Sequence, residues 1–198
     1  KYLSLALALA MALSLSVTAF AVPNSMDNFK ATATYSGQFK DVPANHWAAE
    51  SVKTCYEYGL MKGADKGFNP KGTLTVAEAL VMADRVHEIF TTGKSTLTNG
   101  SPWYQPYVDY ARSKQIISKD YDWNAAATRA HFMDIFSRAI SSNPTLKGTK
   151  PLDAINTVED GAIPDVPMTH PQASSIYKLY RAGVVQGSDK QFSCKPNT

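Results

Sequence analysis

Apolar positions fall into three textures along the chain. From Leu3 to Phe20 they run almost unbroken, LSLALALAMALSLSVTAF, behind a single Lys1. A charged start, an apolar middle and the small-x-small triplet Ala19-Phe20-Ala21 predict a secretory signal peptide over 1–21. At 18 residues the run is at the lower limit for a membrane span, and the triplet with the polar stretch behind it favours removal. From 22 to 38 the pattern is polar, rich in Ser and Thr and without period, which reads as a spacer. Beyond it, apolar residues recur at helical spacing. Trp47, Val52, Cys55 and Tyr56 make one stripe, ended by Gly59 where a left-handed residue closes a helix. Leu60-Met61 and Phe68 flank a turn carrying Gly63 and Gly67, which predicts a very small hairpin. Thr75-Val76-Ala77-Glu78 has the spacing of a capping box, and the helix it opens carries Leu80, Val81, Ile89 and Phe90.

The same plan then returns. Asp41–Phe68 aligns without a gap to Asp165–Phe192, with 12 of 28 positions identical, against about two expected from random pairing. Trp103 to Val108 repeats the spacing of Trp47 to Val52, and Thr128-Arg129-Ala130-His131 stands where Thr75 to Glu78 does. Gln115 and Lys119 take the slots of Gly59 and Gly63, which is unfavourable at positive φ unless the turn changes shape. The units run over 39–90, 101–141 (degenerate) and 163–198 (partial, ending before its second helix), with a linker at 91–100. One such unit of about 50 residues buries too little to stand alone, whereas three packed together bury enough. The predicted fold is mainly α: three helix–short hairpin–helix repeats packed as a pseudo-threefold bundle. Because the chain begins at Lys1 and stops inside a repeat, both ends are read as incomplete.

Composition narrows the chemistry. A hydrophobic share of 44% with 19% charged residues suits a folded chain. The net charge of +3 is small and scattered, so nucleic acid is not an expected partner. Two cysteines make neither a disulfide framework nor a zinc motif, and whether Cys55 and Cys194 pair after export stays open. His46 and His170 occupy equivalent slots, which points to a shared structural role. His87-Glu88 lacks a second histidine at the zincin spacing. With no nucleophile triad, phosphate-cradling glycine loop or paired-carboxylate motif, no catalytic residue, cofactor or metal site is assigned.

The recurring residues also carry a resemblance. The first unit supplies Phe39-Lys40-Asp41-Val42, His46-Trp47-Ala48, Gly59-Leu60-Met61-Lys62-Gly63, Phe68-Asn69-Pro70 and Leu74-Thr75-Val76-Ala77-Glu78. The third supplies Ile163-Pro164-Asp165-Val166, His170, Gly183-Val184-Val185-Gln186-Gly187 and Phe192, and the second Trp103-Tyr104, Ile116-Ile117 and Thr128-Arg129-Ala130. On these residues the chain resembles a triplet of S-layer homology repeats. The resemblance implies a non-catalytic anchoring module of exported bacterial surface proteins, located at the cell surface or cell wall. Its implied partner is a wall polysaccharide or peptidoglycan-linked polymer, often pyruvylated, held in grooves between lobes, with surface-layer self-association as a further expectation.

That resemblance implies a polysaccharide-binding set of Arg129, Thr128, Asp41, Trp47, Trp103 and Asp165. A guanidinium pairs with the carboxylate of a pyruvate ketal, and the helix N-terminus behind Thr128 adds donors. Each residue has a plainer reading as well. Arg129 suits a solvated first helical turn, the tryptophans suit core anchors, and Asp41 and Asp165 suit fixing of the lead-in turn. Thr75 and Glu78 are capping residues, and Gly59, Gly63, Gly183 and Gly187 are turn residues first. Val76 stands where the motif has arginine, His131 where it has glutamate, and Cys194 in the F-x-P proline slot, so one competent groove is expected, around Arg129. Two alternatives remain open: the anchor portion of an exported enzyme whose catalytic domain lies beyond residue 198, and a degenerate lattice scaffold that binds no polymer.

Overall fold

A computed structural model of the protein describes residues 26–64, 67–141, 152–187 and 193–198. The predicted signal peptide, Phe192 and residues 142–151 of the polar connection after the second unit lie outside these residues. Five α-helices occur among the described residues: α1 (Ala49–Glu57), α2 (Val76–Thr92), α3 (Gln105–Ser113), α4 (Arg129–Ser141) and α5 (Ala173–Arg181). A 3-10 turn, Met26–Asn28, precedes them. The predicted hairpin reduces to one antiparallel bridge between Ala64 and Gly67, so the fold is mainly α and packs as a helical bundle.

Sequence units and packing units do not coincide. α2 packs on α4, and each of these second helices is covered by the first helix of the following unit, α3 on α2 and α5 on α4. Val76 and Leu80 of α2 share a core with Tyr107, Val108, Ala111, Ile116 and Ile135. Ala130 and Met133 of α4 share another with Ile163, Val166, Ile176, Tyr177 and Cys194. Full burial of each large apolar side chain there contributes roughly 1.5–3 kcal/mol. α1 instead joins a smaller aromatic cluster in which Phe39 sits 5.5–5.6 Å from the rings of Tyr35, Tyr56 and Phe68.

The first-helix stripe is narrower than its sequence pattern. Val52 is buried, while Cys55 and Tyr56 are half-buried. Trp47 is 90% exposed. It precedes the helix, in a turn closed by His46 N–H to Pro43 O (2.8 Å) and Ala49 N–H to His46 O (2.9 Å), so helical periodicity does not place it.

Each first helix ends the same way. Gly59, Gln115 and Gly183 have φ of 72°, 58° and 71°, and the next amide in each case reaches back to the last turn (Leu60 to Cys55 O, Ile116 to Ala111 O, Val184 to Leu179 O; 2.8–3.0 Å). Gln115 therefore adopts the left-handed shape despite its side chain. Lys119 does not, because its shorter turn takes another path.

Residues 26–35, polar and spacer-like in sequence, are tied down. Thr32 and Ala33 N–H both donate to Glu57 O (2.7 and 3.2 Å), as Ile155 and Asn156 N–H donate to Arg181 O before the third unit (2.8 and 2.9 Å). Asn28 Nδ2 donates to Phe90 O at the end of α2 (2.7 Å).

Candidate functional site

The lead-in aspartates close each unit's turn. Asp41 accepts from Phe68 N–H (3.0 Å) and Asn69 N–H (2.6 Å), and these amides hold its carboxyl below the usual carboxylate range. Asp165 accepts from Cys194 N–H (2.7 Å) and Lys195 N–H (2.6 Å). Asn69 and Lys195 also share positive φ, 57° and 50°. These contacts correct the register: Cys194 occupies the slot of Phe68, and Pro196 that of Pro70. The third loop is two residues longer than a gap-free alignment allows. The aspartate hold marks the equivalence where residue identity misleads. Cys194 and Cys55 are free thiols whose pKa burial pushes up; Cys194 lies against Met133, Sγ to Sδ 3.7 Å.

The two second helices open on equivalent caps. Thr75 Oγ1 accepts from Glu78 N–H (3.2 Å) while Glu78 Oε2 accepts from Thr75 N–H (2.8 Å). In α4, Thr128 Oγ1 accepts from His131 N–H (3.1 Å), and His131 Nδ1 accepts from Thr128 N–H (3.3 Å). The imidazole thus completes the box in place of glutamate. The next two amides of each helix are also taken up, in each case by the following unit's turn. Val76 and Ala77 donate to Ala125 O and Trp123 O (both 3.0 Å), and Arg129 and Ala130 to Thr198 O and Pro196 O (2.6 and 2.8 Å). The amide donors expected behind Thr128 are therefore engaged within the protein, a correction to the sequence reading.

What Arg129 offers is its side chain. Nε donates to Cys194 O (2.9 Å), the only hydrogen bond of this guanidinium among the described residues. It lines a cavity of about 410 Å³ between the start of α4 and the Val184–Gln186 turn, together with Thr128 and Phe132. Val76, its counterpart, is buried in the core and leaves no equivalent group.

A second cavity, of about 480 Å³, lies where the first unit's turn meets the second unit. Trp103, 38% exposed, lines it with Gly63, Asn69, Glu78, Arg85 and Asn99. Arg85 Nη1 donates to Leu60 O (2.9 Å). Sequence reasoning missed Arg85. Its counterpart Arg138, at the same slot of α4, is a repeat signal that could have found it. Trp47 and the two aspartates line neither groove, and Gly187 is half-buried just after the Val184–Gln186 turn. His46 and His170 share one role: Nδ1 accepts the N–H of Ala48 or Gln172 at 3.2 Å and sets the start of the first helix.

The sequence model of the S-layer homology domain matches residues 38–80, which include the whole Asp41-closed turn, and 162–193, which include Asp165 and end just before the amides that close its turn. The chain carries the S-layer homology domain. This domain is a cell-surface anchoring module, which puts the protein at the cell surface or wall. Among curated proteins, the S-layer protein sap of Bacillus anthracis is 28% identical over 130 residues, covering 60% of this chain and 16% of that protein. An amylopullulanase of Thermoanaerobacterium thermosulfurigenes is 34% identical over 61 residues, covering 31% of this chain and 3% of its own. A cell surface protein of Thermoanaerobacter kivui is 44% identical over 48 residues, covering 24% and 6%. The chain spans 16% or less of the length of these relatives.

Proposed function

We propose that these S-layer homology repeats anchor their protein by binding an anionic, pyruvylated wall polysaccharide in the groove at Arg129, without catalysis and without a cofactor. The observation that carries this reading is a guanidinium fixed through Nε at the edge of a 410 Å³ cavity between two units. Its remaining N–H groups match a carboxylate in a fixed fork, a contact contributing roughly 1.5–3 kcal/mol. Trp103, with Arg85 beside it, gives the neighbouring groove a flat face for a sugar ring. A polymer that meets both grooves gains avidity that neither has alone.

A second reading has its own support. The amylopullulanase matches over only 3% of its length, the pattern of a shared anchor beside unrelated domains. On that reading this chain is the anchor portion of an exported enzyme.

Co-sedimentation with purified cell walls, before and after the secondary polymer is stripped, tests the proposal. Pelleting should require the polymer and fall about tenfold or more in Arg129→Ala. Pelleting that survives stripping, or an Arg129→Ala protein that binds as the parent does, rejects the Arg129 groove. Absence of pelleting combined with self-association would favour a lattice scaffold.

A further inference from the structure

A third cavity, of about 260 Å³, lies on the first unit between residues 28–32, the Gly59–Lys62 turn and the end of α2. Three lysines from these three segments line it: Lys30, Lys62 and Lys94. No aspartate or glutamate does. None of the three ammonium groups has an ion-pair or hydrogen-bond partner among the described residues. Tyr58 and Thr32 add hydroxyl groups to the wall.

We propose that this cavity is a binding site for an acidic sugar, held through its carboxylate or phosphate group. Three like charges around one concavity, with no acid among them, raise its positive potential, and low-dielectric walls focus that field on an incoming anion. The lysine stems are long enough to converge on one anion and flexible enough to stay apart when none is bound. The segments beneath them are fixed, since Thr32 and Ala33 N–H are tied to Glu57 O and Asn28 Nδ2 to Phe90 O. Volume sets the size of the ligand: at about 30 Å³ per water, the cavity holds a single charged residue and no longer stretch of polymer. Lys62 also lines the Trp103 groove, so the two cavities adjoin at one side chain. A chain lying along the Trp103 groove could place its next acidic residue among the lysines.

That last step rests on the polymer-binding reading, whereas the site itself can be tested with free monosaccharides. Amide shifts of the full chain are followed during titration with glucuronate, glucose 1-phosphate and glucose at low ionic strength. Saturating shifts at Gly59, Lys62, Gly93 and Lys94 are expected with at least one anion and absent with glucose. The two anions separate a carboxylate from a phosphate source. The combined variant Lys30→Gln, Lys62→Gln, Lys94→Gln should weaken that binding about tenfold or more. Its thermal midpoint should stay unchanged or rise, because like-charge repulsion is removed. Equal shifts with glucose, uniform shifts at every lysine of the chain, or an unchanged affinity in the triple variant would overturn the site. Retained monosaccharide binding with no wall pelleting would support the site and reject the anchoring reading alone.

Discussion

Asp84 should oppose folding at neutral pH, and removing its charge should stabilise the protein. The side chain sits on the inner face of α2, 0% exposed, with both carboxylate oxygens lacking a hydrogen-bond partner among the described residues. Burial, then repulsion from Glu88, pushes its pKa up to about 9 from an ordinary 3.8. Below pH 3.8 the group is protonated in both states and costs the fold nothing on this account. Between 3.8 and about 9 the unfolded chain releases the proton while the folded protein keeps it, so stability falls as pH rises, by up to about 1.4 kcal/mol per unit. Taken to pH 7 this amounts to roughly 4 kcal/mol as an upper bound. Asp84→Asn mimics the protonated carboxyl in shape and charge. Urea unfolding of parent and variant from pH 5 to 8.5 should show their stability difference growing with pH in favour of asparagine, by roughly 2–4 kcal/mol at pH 7. His87, held down to about 4 by burial and by Lys114, gives the opposite slope between pH 4 and 6.5, but it is common to both proteins and cancels. Parallel pH curves, or an asparagine variant less stable at pH 8, would refute the reasoning.

Three further substitutions test the local geometry. Gly63→Ala places a methyl group 2.4 Å from Phe39 Cε1 at a φ of 71°; it should cost about 3 kcal/mol in chemical denaturation, with loss of near-ultraviolet ellipticity from the aromatic cluster. Gln115→Gly relieves a left-handed residue at a helix end and should raise stability by about 0.5 kcal/mol, the strain removed slightly exceeding the added unfolded-chain freedom. Glu88 accepts from Ser95 Oγ, Thr96 N–H and Oγ1, and Leu97 N–H. Glu88→Ala should cost about 3 kcal/mol and raise hydrogen exchange at Thr96 and Leu97 in particular.

The sequence made local features legible wherever one residue type answers one local demand. The Thr75–Glu78 box, the left-handed ends at Gly59 and Gly183 and the buried face of α2 all follow from spacing within a single turn or helix. Long-range features were hidden. No pattern shows that α3 covers α2, or α5 covers α4, because a repeat in sequence suggests a repeat that packs on itself. Trp47 looked like part of a helical stripe because periodicity cannot see that the helix begins two residues later. Cys194 was misplaced by two residues because a gap-free match carried the count past the third loop. The Asp165 contacts that set the register span about 30 residues of chain. His131 stands where the motif has glutamate, yet an unprotonated imidazole nitrogen accepts a backbone N–H as a carboxylate oxygen does.

The arrangement of Arg129 gives a physical reason for tandem repeats beyond the size of the core. Its backbone amide is held by Thr198 O and its Nε by Cys194 O, both from the third unit, while the helix that carries it belongs to the second. Removing the third unit's turn would leave the amides of Arg129 and Ala130 and one guanidinium N–H without partners, and open the cavity on one side. A guanidinium free to swing loses more side-chain entropy when it meets a carboxylate than one already fixed at Nε. On the proposed reading, loss of the neighbouring unit therefore weakens the groove twice, through unsatisfied donors and through lost preorganisation. The second unit departs furthest from the repeat pattern, yet it lies between the other two and receives contacts from both: α3 covers α2, and α5 covers α4. Gln115 keeps its left-handed shape there because the turn is closed by its own helix, Gln115 N–H on Arg112 O and Ile116 N–H on Ala111 O. On the proposed reading, the residue that must keep its chemistry is Arg129, whose side chain lines the cavity.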